Sequence, residues 1–248
     1  MTLEQFFAEN REVAVAFSGG VDSAYLLYAA TRYAARVKAY YVSTAFQPEF
    51  ELEDARRLAD AVGADMQVLH VDVLMSGAVV ANPPDRCYHC KNTLFRQILR
   101  AAENDGFPVL LDGTNASDDA GDRPGMRALR ELSVRSPLRE CGLTKAEIRR
   151  LSREAGLFTW DKPAYACLAT RIRTGEEITL QKLKQTEKAE GFLFRLGFRD
   201  FRVRMVGNTA KLELREADLP LLLENREKIV TELRKDYDSV LLNLKVRK

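Results

Sequence analysis

The 248-residue sequence is short of several things, and each shortage narrows its reading. Its 38 basic and 36 acidic side chains leave a net charge of only +2. That is no blanket electrostatic attraction for nucleic acid, although a local basic patch is compatible with it. No apolar run approaches the roughly 20 residues a helix needs to cross a bilayer. The amino-terminal stretch "MTLEQFFAENREVAVAF" lacks the basic region of a secretion signal, and its apolar run is too short for one. A cytoplasmic protein without a membrane partner is therefore expected. There are two histidines, His70 and His89, and four cysteines, Cys87, Cys90, Cys141 and Cys167. In a reducing compartment such cysteines are ligands, reactive thiols or core residues rather than a disulfide framework. There is no internal repeat and no low-complexity segment.

What is present is an ordinary globular composition, 46% apolar and 30% charged, long enough for a main domain with a smaller appendage. Thr2 with Gln5 reads as a capping box opening a short helix. Strand and helix signals then alternate: "EVAVAF", a helix over residues 22–35, "VKAYYVS", a helix over 51–62, and "MQVLHVDV". An irregular cysteine-bearing stretch follows, then a helix over 92–103 and the strand "PVLLDGT". Beyond a polar, glycine-containing stretch, "LSVRSPL" reads as a fifth strand, and Thr144 with Glu147 caps the helix "KAEIRRLSREAGL". Near-continuous apolar strands between amphipathic helices predict an α/β fold, a parallel sheet covered on both faces. After "TWDKPAYACLATR" the grammar changes to a helix over 180–195, a hairpin around Gly207-Asn208, the helix "EADLPLLLENREKIVTELRKD" and a last strand "SVLLNLKV". This gives a domain over 1–165 and a small α+β domain over 166–248.

The most informative stretch is "VAVAFSGGVDSAYLL". A loop between a strand's carboxyl end and a helix start gathers unpaired N–H groups and the positive end of the helix dipole. Gly19 and Gly20 let the backbone approach an anion, Ser18 and Ser23 add hydroxyls, and Val21 lies within the same loop. The lysine of a Walker loop is missing. A cradle without that lysine suits attack at the α-phosphate of ATP, with pyrophosphate leaving and Asp22 holding Mg2+ or orienting the loop. The plainer alternative is a glycine turn with Ser and Asp capping a helix. Residues 18–23, S-G-G-V-D-S, resemble the signature of the PP-loop ATP pyrophosphatases, in which ATP adenylates a substrate oxygen and a nucleophile then displaces AMP.

Cys87 and Cys90 are spaced C-x-x-C in "NPPDRCYHCK", and Cys167 lies in "PAYACLATR". Three thiolates suit an iron–sulfur cluster with one open iron. A structural zinc site would need a fourth ligand from Cys141 or a histidine, and a redox dithiol is the third reading. Cys141 is most simply a small filler residue.

Together "NPPDRCYHCK", "DGTNASDD", "SPLRECGLTKAEIR" and "WDKPAYACLATRI" resemble the LarE family of ATP-dependent sulfur transferases, over nearly the whole chain. The resemblance implies adenylation of a carboxylate of pyridinium-3,5-biscarboxylate mononucleotide and its conversion to a thiocarboxylate, for the nickel-pincer cofactor of lactate racemase. It implies ATP, Mg2+ and, because Cys87, Cys90 and Cys167 are all present, a [4Fe–4S] cluster carrying an extra sulfide. A single-cysteine kind of the family instead sacrifices the sulfur at the Cys167 position. The family further implies a homo-oligomer, a hexamer, and no nucleic-acid partner.

Other candidates follow from position. Arg202 and Arg204 share one strand face and would clamp a phosphate, as the family's paired arginines are thought to do; the plain alternative is a solvated face with charge pairs. Glu190 and Glu213 align with family acidic residues near metal or substrate, and Thr170 and Arg171 follow Cys167. Gly113, Thr114 and Asn115 end a strand at the sheet's carboxyl edge, with Asp118 beside them and Ser43 placed similarly for the adenine. Trp160 and Asp161 suit hinge packing or a ligand contact. The rival functions are a cluster-bearing tRNA thiolase, an ammonia-using amidotransferase and a non-catalytic nucleotide or redox sensor.

Overall fold

The computed structural model describes residues 1–118 and 124–247. Residues 119–123, within the polar, glycine-containing stretch, lie outside the described residues. The elements run α1 (Leu3–Glu9), β1 (Glu12–Ala16), α2 (Val21–Tyr33), β2 (Arg36–Ser43), α3 (Glu49–Ala61), β3 (Asp65–His70) and the single turn α4 (Gly77–Val80). There follow α5 (Arg86–Asn104), β4 (Val109–Leu111), α6 (Pro124–Glu131), α7 (Pro137–Glu140) and α8 (Lys145–Glu154). The last group is α9 (Leu180–Arg195), β5 (Arg202–Val206), β6 (Thr209–Glu213), α10 (Leu219–Glu224), α11 (Arg226–Leu233) and β7 (Ser239–Leu242).

The chain divides into two compact units, one made of Met1–Val73 and Asp85–Lys162, the other of Leu74–Pro84 and Pro163–Lys248. In the first, four strands pair in the order β3-β2-β1-β4, all parallel. Alternation along β1 explains the layering. Val13 and Val15 point into a core with Phe6, Phe7, Leu26, Leu27, Leu58 and Ile148, from α1, α2, α3 and α8. Ala14 and Ala16 face the other way, onto Tyr40, Ile98 and Ala102, where α5 covers the sheet. Helices on both faces leave the strand ends as the open edge. The order reverses between β1 and β4, so the loops after these two strands flank the switch point where α/β sheets bind ligands.

Three local expectations are corrected. "LSVRSPL" forms no strand: Ser133 has a positive φ of 54°, only Arg135 bridges Leu111, and Pro137, with no N–H for a ladder, starts α7. The cysteine-bearing stretch is regular, because α5 begins at Arg86. The long helix over "EADLPLLLENREKIVTELRKD" is broken at Asn225, whose amide donates to Leu221 O at 3.1 Å and competes with the helix's own bonding.

In the second unit β5 and β6 form an antiparallel hairpin through Gly207, at φ 57°, and β7 adds parallel to β6. Val203, Met205, Ala210 and Leu212 are buried. The segment Leu74–Pro84 is tied in by backbone bonds, Gly175 N to Asn82 O (2.8 Å) and Ile178 N to Val80 O (2.9 Å). Buried Asn82 donates its side-chain amide to Arg173 O (2.8 Å) from a left-handed conformation that asparagine tolerates. Among the described residues, no helix is long and apolar enough to cross a membrane.

Candidate active site

In the first unit the loop after β1 turns at Gly19, φ +72°, and α2 starts from Gly20. A Cβ on Gly19 would also lie 3.2 Å from Ala55 Cβ in α3, so both conformation and space call for glycine. The loop is braced internally: Ser18 N donates to Ser23 Oγ (3.3 Å), the two hydroxyls lie 3.0 Å apart, and Ser23 Oγ donates to Gly20 O (3.2 Å). No side chain caps α2, so its first-turn N–H groups have no capping acceptor, and the helix dipole adds positive potential there. Val21 packs into the core. Asp22 pairs through Oδ2 with Lys145 at the start of α8, while its enclosed Oδ1 has no partner. An uncapped helix start beside an orphaned carboxylate oxygen fits a Mg2+–nucleotide: the loop N–H groups and hydroxyls would hold phosphates and Asp22 the cation.

The β4 loop closes the other side. A Cβ on Gly113 would lie 2.9 Å from Ser23 N and 3.1 Å from Ser23 Cα, so this glycine lets the strand end press against the cradle's backbone. Gly113→Ala is expected to displace that backbone, lower stability by about 1–3 kcal/mol and weaken ATP binding. Urea unfolding and nucleotide titration of the variant check this, and unchanged affinity for ATP contradicts it. Thr114 is turned inward, donating to Asp112 Oδ2 (2.5 Å), whose Oδ1 receives Ser136 (2.5 Å). Asn115 and Asp118 brace their own turn: Asp118 accepts from Asn115 N (2.9 Å), and Asn115 Oδ1 from Ser117 N (2.8 Å). Ser43 ends β2, half-buried and paired with His70. Trp160 lies under Arg153, 5.0 Å from ring to guanidinium, and its carbonyl accepts from Arg149; Asp161 is exposed.

Cys87 and Cys90 lie three residues apart within the first five residues of α5, Cys87 exposed and Cys90 half-buried. Arg86 Nη2 lies 3.7 Å from Cys87 Sγ. Cys141 packs against the apolar core, where burial pushes its thiol up. None of the four cysteines is in a disulfide. Among the described residues, no group of three or more His, Cys, Asp or Glu side chains is arranged to hold a metal ion.

In the second unit Cys167 stands at the start of a turn, 168–171, and its carbonyl accepts from Thr170 N (2.9 Å) and Thr170 Oγ1 (2.8 Å). The same segment is gripped by arginines. Arg202 donates to Ala164 O (2.6 Å), Arg171 to Ala166 O (3.1 Å) and Arg204 to Thr170 O (2.6 Å). Arg171 and Glu190, 0% and 1% exposed, form a two-pronged pair at 2.7 and 3.0 Å. Tyr165 OH and Val203 N (2.8 Å) also donate to Glu190. Burial alone would lower the Arg171 pKa, but Glu190 outweighs it and raises it; burial and the same carboxylate drive the Tyr165 phenol up. Glu213 binds Arg204 at 2.8 Å. Burial would raise its carboxyl, yet Arg204 and Lys211 hold it below the usual range. A cleft of about 300 Å³ opens here, lined by Thr170, Arg173, Arg204 and Lys211 among others.

Each unit thus gathers its own candidates: residues 18–23 with Gly113 in the first, and Thr170, Arg171, Glu190, Arg202, Arg204 and Glu213 around the Cys167 segment in the second. Lys145, Asp112 and Tyr165 were not legible as site residues. Each is marked only by a partner distant in sequence or by burial, apart from Lys145's place one residue after a helix cap.

A parallel sheet carrying an S-G-G-V-D-S cradle at its switch point defines a PP-loop enzyme, a class that adenylates substrates with ATP and Mg2+. Residues 4–118 match the family model described as asparagine synthase. An uncharacterized protein of Synechocystis is 39% identical, covering 86% of this chain and 80% of its own. A pyridinium-3,5-bisthiocarboxylic acid mononucleotide synthase of Lactiplantibacillus plantarum is 32% identical over 94% of this chain and 85% of its own. A tRNA-specific 2-thiouridylase of Thermotoga petrophila reaches 25% over 59% of this chain and 52% of its own. The chain belongs to the LarE family, the ATP-dependent sulfur transferases.

Proposed function

We propose that this enzyme adenylates a carboxylate of pyridinium-3,5-biscarboxylate mononucleotide with ATP and converts it to a thiocarboxylate, for nickel-pincer cofactor synthesis. The observation that carries the reading is the likeness to the Lactiplantibacillus synthase over 94% of the chain, against 59% for the tRNA thiolase. On this reading residues 1–165 bind ATP, and residues 166–248 bind substrate, deliver sulfur and support a homo-oligomer, a hexamer as in the family. The protein resides in the cytoplasm.

The cradle of residues 18–23 holds the phosphates, Asp22 the Mg2+, and Ser43, Gly113 and Thr114 border the nucleotide. A carboxylate oxygen is a poor leaving group; as an AMP ester it departs readily. Thr170, Arg171, Arg202, Arg204, Glu190 and Glu213 form the substrate side. Arg204 and Lys211 put positive charge on the cleft, which suits a mononucleotide phosphate, while buried Arg171 and Glu190 serve by shaping the segment around Cys167.

Cys87, Cys90 and Cys167 would hold a [4Fe–4S] cluster. Cys87 and Cys90, one helical turn apart, suit two ligand positions, and the family resemblance assigns the third to Cys167. Bound there, the cluster would supply a deprotonated sulfide as the nucleophile. The test is anaerobic incubation of reconstituted protein with ATP, Mg2+ and the biscarboxylate. Stoichiometric pyrophosphate and a thiocarboxylate detected by mass spectrometry are expected. Pyrophosphate release driven only by tRNA, or none with the biscarboxylate, overturns the proposal.

A further inference from the structure

The first unit carries another cleft, built from the ends of helices rather than from the ends of strands. About 390 Å³ in volume, it lies where the last turns of α2 and α3 meet the chain that follows α8. Small-molecule clefts typically measure roughly 300–1,000 Å³. The floor is apolar: Leu58 and Leu157 are buried in the main core, and Val62 and Phe158 pack against it. The rim is bare. Gly63 and Gly156 follow α3 and α8 with φ of +67° and +70°, and a Cβ on either would meet no atom within 4 Å.

One cation lines this cleft. Arg32, in the last turn of α2, donates to the Tyr28 hydroxyl at 3.1 Å, and its guanidinium lies 5.4 Å from the centre of that ring. Both contacts hold the guanidinium in place, and the negative end of the helix dipole favours its charge there. Among the described residues no carboxylate pairs with Arg32. Arg57, stacked 3.7 Å over the Phe158 ring, differs in this respect, because Asp54 lies 3.3 Å from it. The Thr31 hydroxyl is engaged as well, donating to Tyr28 O at 2.8 Å. An oriented guanidinium with most of its donors unused therefore stands beside an apolar floor.

We propose that this cleft binds a small carboxylate with an apolar body. A planar guanidinium fork matches a planar carboxylate, and a single unpaired positive charge matches a monoanion rather than a phosphate dianion. The apolar body gains by covering Leu58, Val62 and Leu157 at the floor. The site is distinct from the cradle, which lies at the other end of α2, 13 residues or about 20 Å away. It goes beyond the proposed function and does not rest on it.

The experiment titrates wild type, Arg32→Gln and Arg204→Gln with benzoate, benzamide and acetate, followed by ligand-observed NMR, with and without saturating ATP and Mg2+. Benzoate carries both charge and body, benzamide the body alone, acetate the charge alone. Wild type should bind benzoate with a Kd of about 1 mM or tighter, and the other two at least about 10-fold more weakly. Arg32→Gln should weaken benzoate about 10-fold or more, since glutamine has neither the charge nor the fork. Arg204→Gln, in the cleft of the second unit, and saturating ATP should each leave benzoate within about twofold of wild type. No benzoate binding up to about 20 mM, or a loss under about threefold in Arg32→Gln, overturns the proposal. So does displacement by ATP, a comparable loss in Arg204→Gln, or benzamide or acetate binding as tightly as benzoate. Urea midpoints confirm folding; should Arg32→Gln not unfold cooperatively, Arg32→Met is read by the same criteria. No pyridinium compound enters the assay, so an error in the substrate assignment leaves this result intact.

Discussion

Replacing Glu190 by alanine is expected to destabilise the second unit by about 3–5 kcal/mol, the usual consequence of stranding a buried charge. The Arg171 guanidinium is 0% exposed and would lose both prongs of its carboxylate, while Tyr165 OH and Val203 N would lose their acceptor. The Arg171 guanidinium and Val203 N were desolvated on folding and have no water to turn to. The loss reaches the site because Arg171 also holds Ala166 O, one residue before Cys167. Urea unfolding followed by the fluorescence of the native aromatic side chains is the measurement, and a fall under about 1 kcal/mol contradicts the argument. The control is Arg171→Met combined with Glu190→Met. Removing both charges should recover most of the loss, because the burial penalty disappears with the pair.

Cys167→Ser is expected to abolish thiocarboxylate formation while leaving pyrophosphate release within about a few fold of wild type. Serine matches the thiol in size, and the hydrogen bonds that fix the segment involve the Cys167 carbonyl, which the substitution keeps. On the proposed reading adenylation uses the cradle of the first unit, whose internal hydrogen bonds join Ser18, Gly20 and Ser23. On the cluster reading the same variant, with Cys87→Ser and Cys90→Ser, should retain no iron or labile sulfide after anaerobic reconstitution. Cys141→Ser should retain both, since that thiol lies against the apolar core. Undiminished thiocarboxylate from Cys167→Ser removes the sulfur role; iron lost from Cys141→Ser points to a different ligand set.

What could be read in the sequence was local. The glycine turn after β1, the near-continuous apolar run of β1 and the capping boxes at Thr2/Gln5 and Thr144/Glu147 depend on neighbours within a few residues, and the structure has all of them. The pair Arg202/Arg204 was visible as a spacing but not as a grip on Ala164 O and Thr170 O, because those carbonyls come from 34 or more positions earlier. Glu190 reads as an ordinary surface charge on an amphipathic helix; only the packing of α9 against β5 buries it. The regular start of α5 was missed because Pro83 and Pro84 mark irregular chain, and the helix begins two residues later. Lys145 carries no local mark of its partnership with Asp22 at all.

The detour of Leu74–Pro84 has a consequence for any attempt to dissect the enzyme. The second unit is interrupted by a long insertion that is about half of the first, so no single cut yields it whole. A fragment beginning at Pro163 would leave Gly175 N and Ile178 N without their acceptors and would open the space that Asn82 fills. On the ribosome, residues 74–84 must wait until Gly175 and Ile178 have been made before they have anything to bind, so the two units mature as interleaved projects rather than in series.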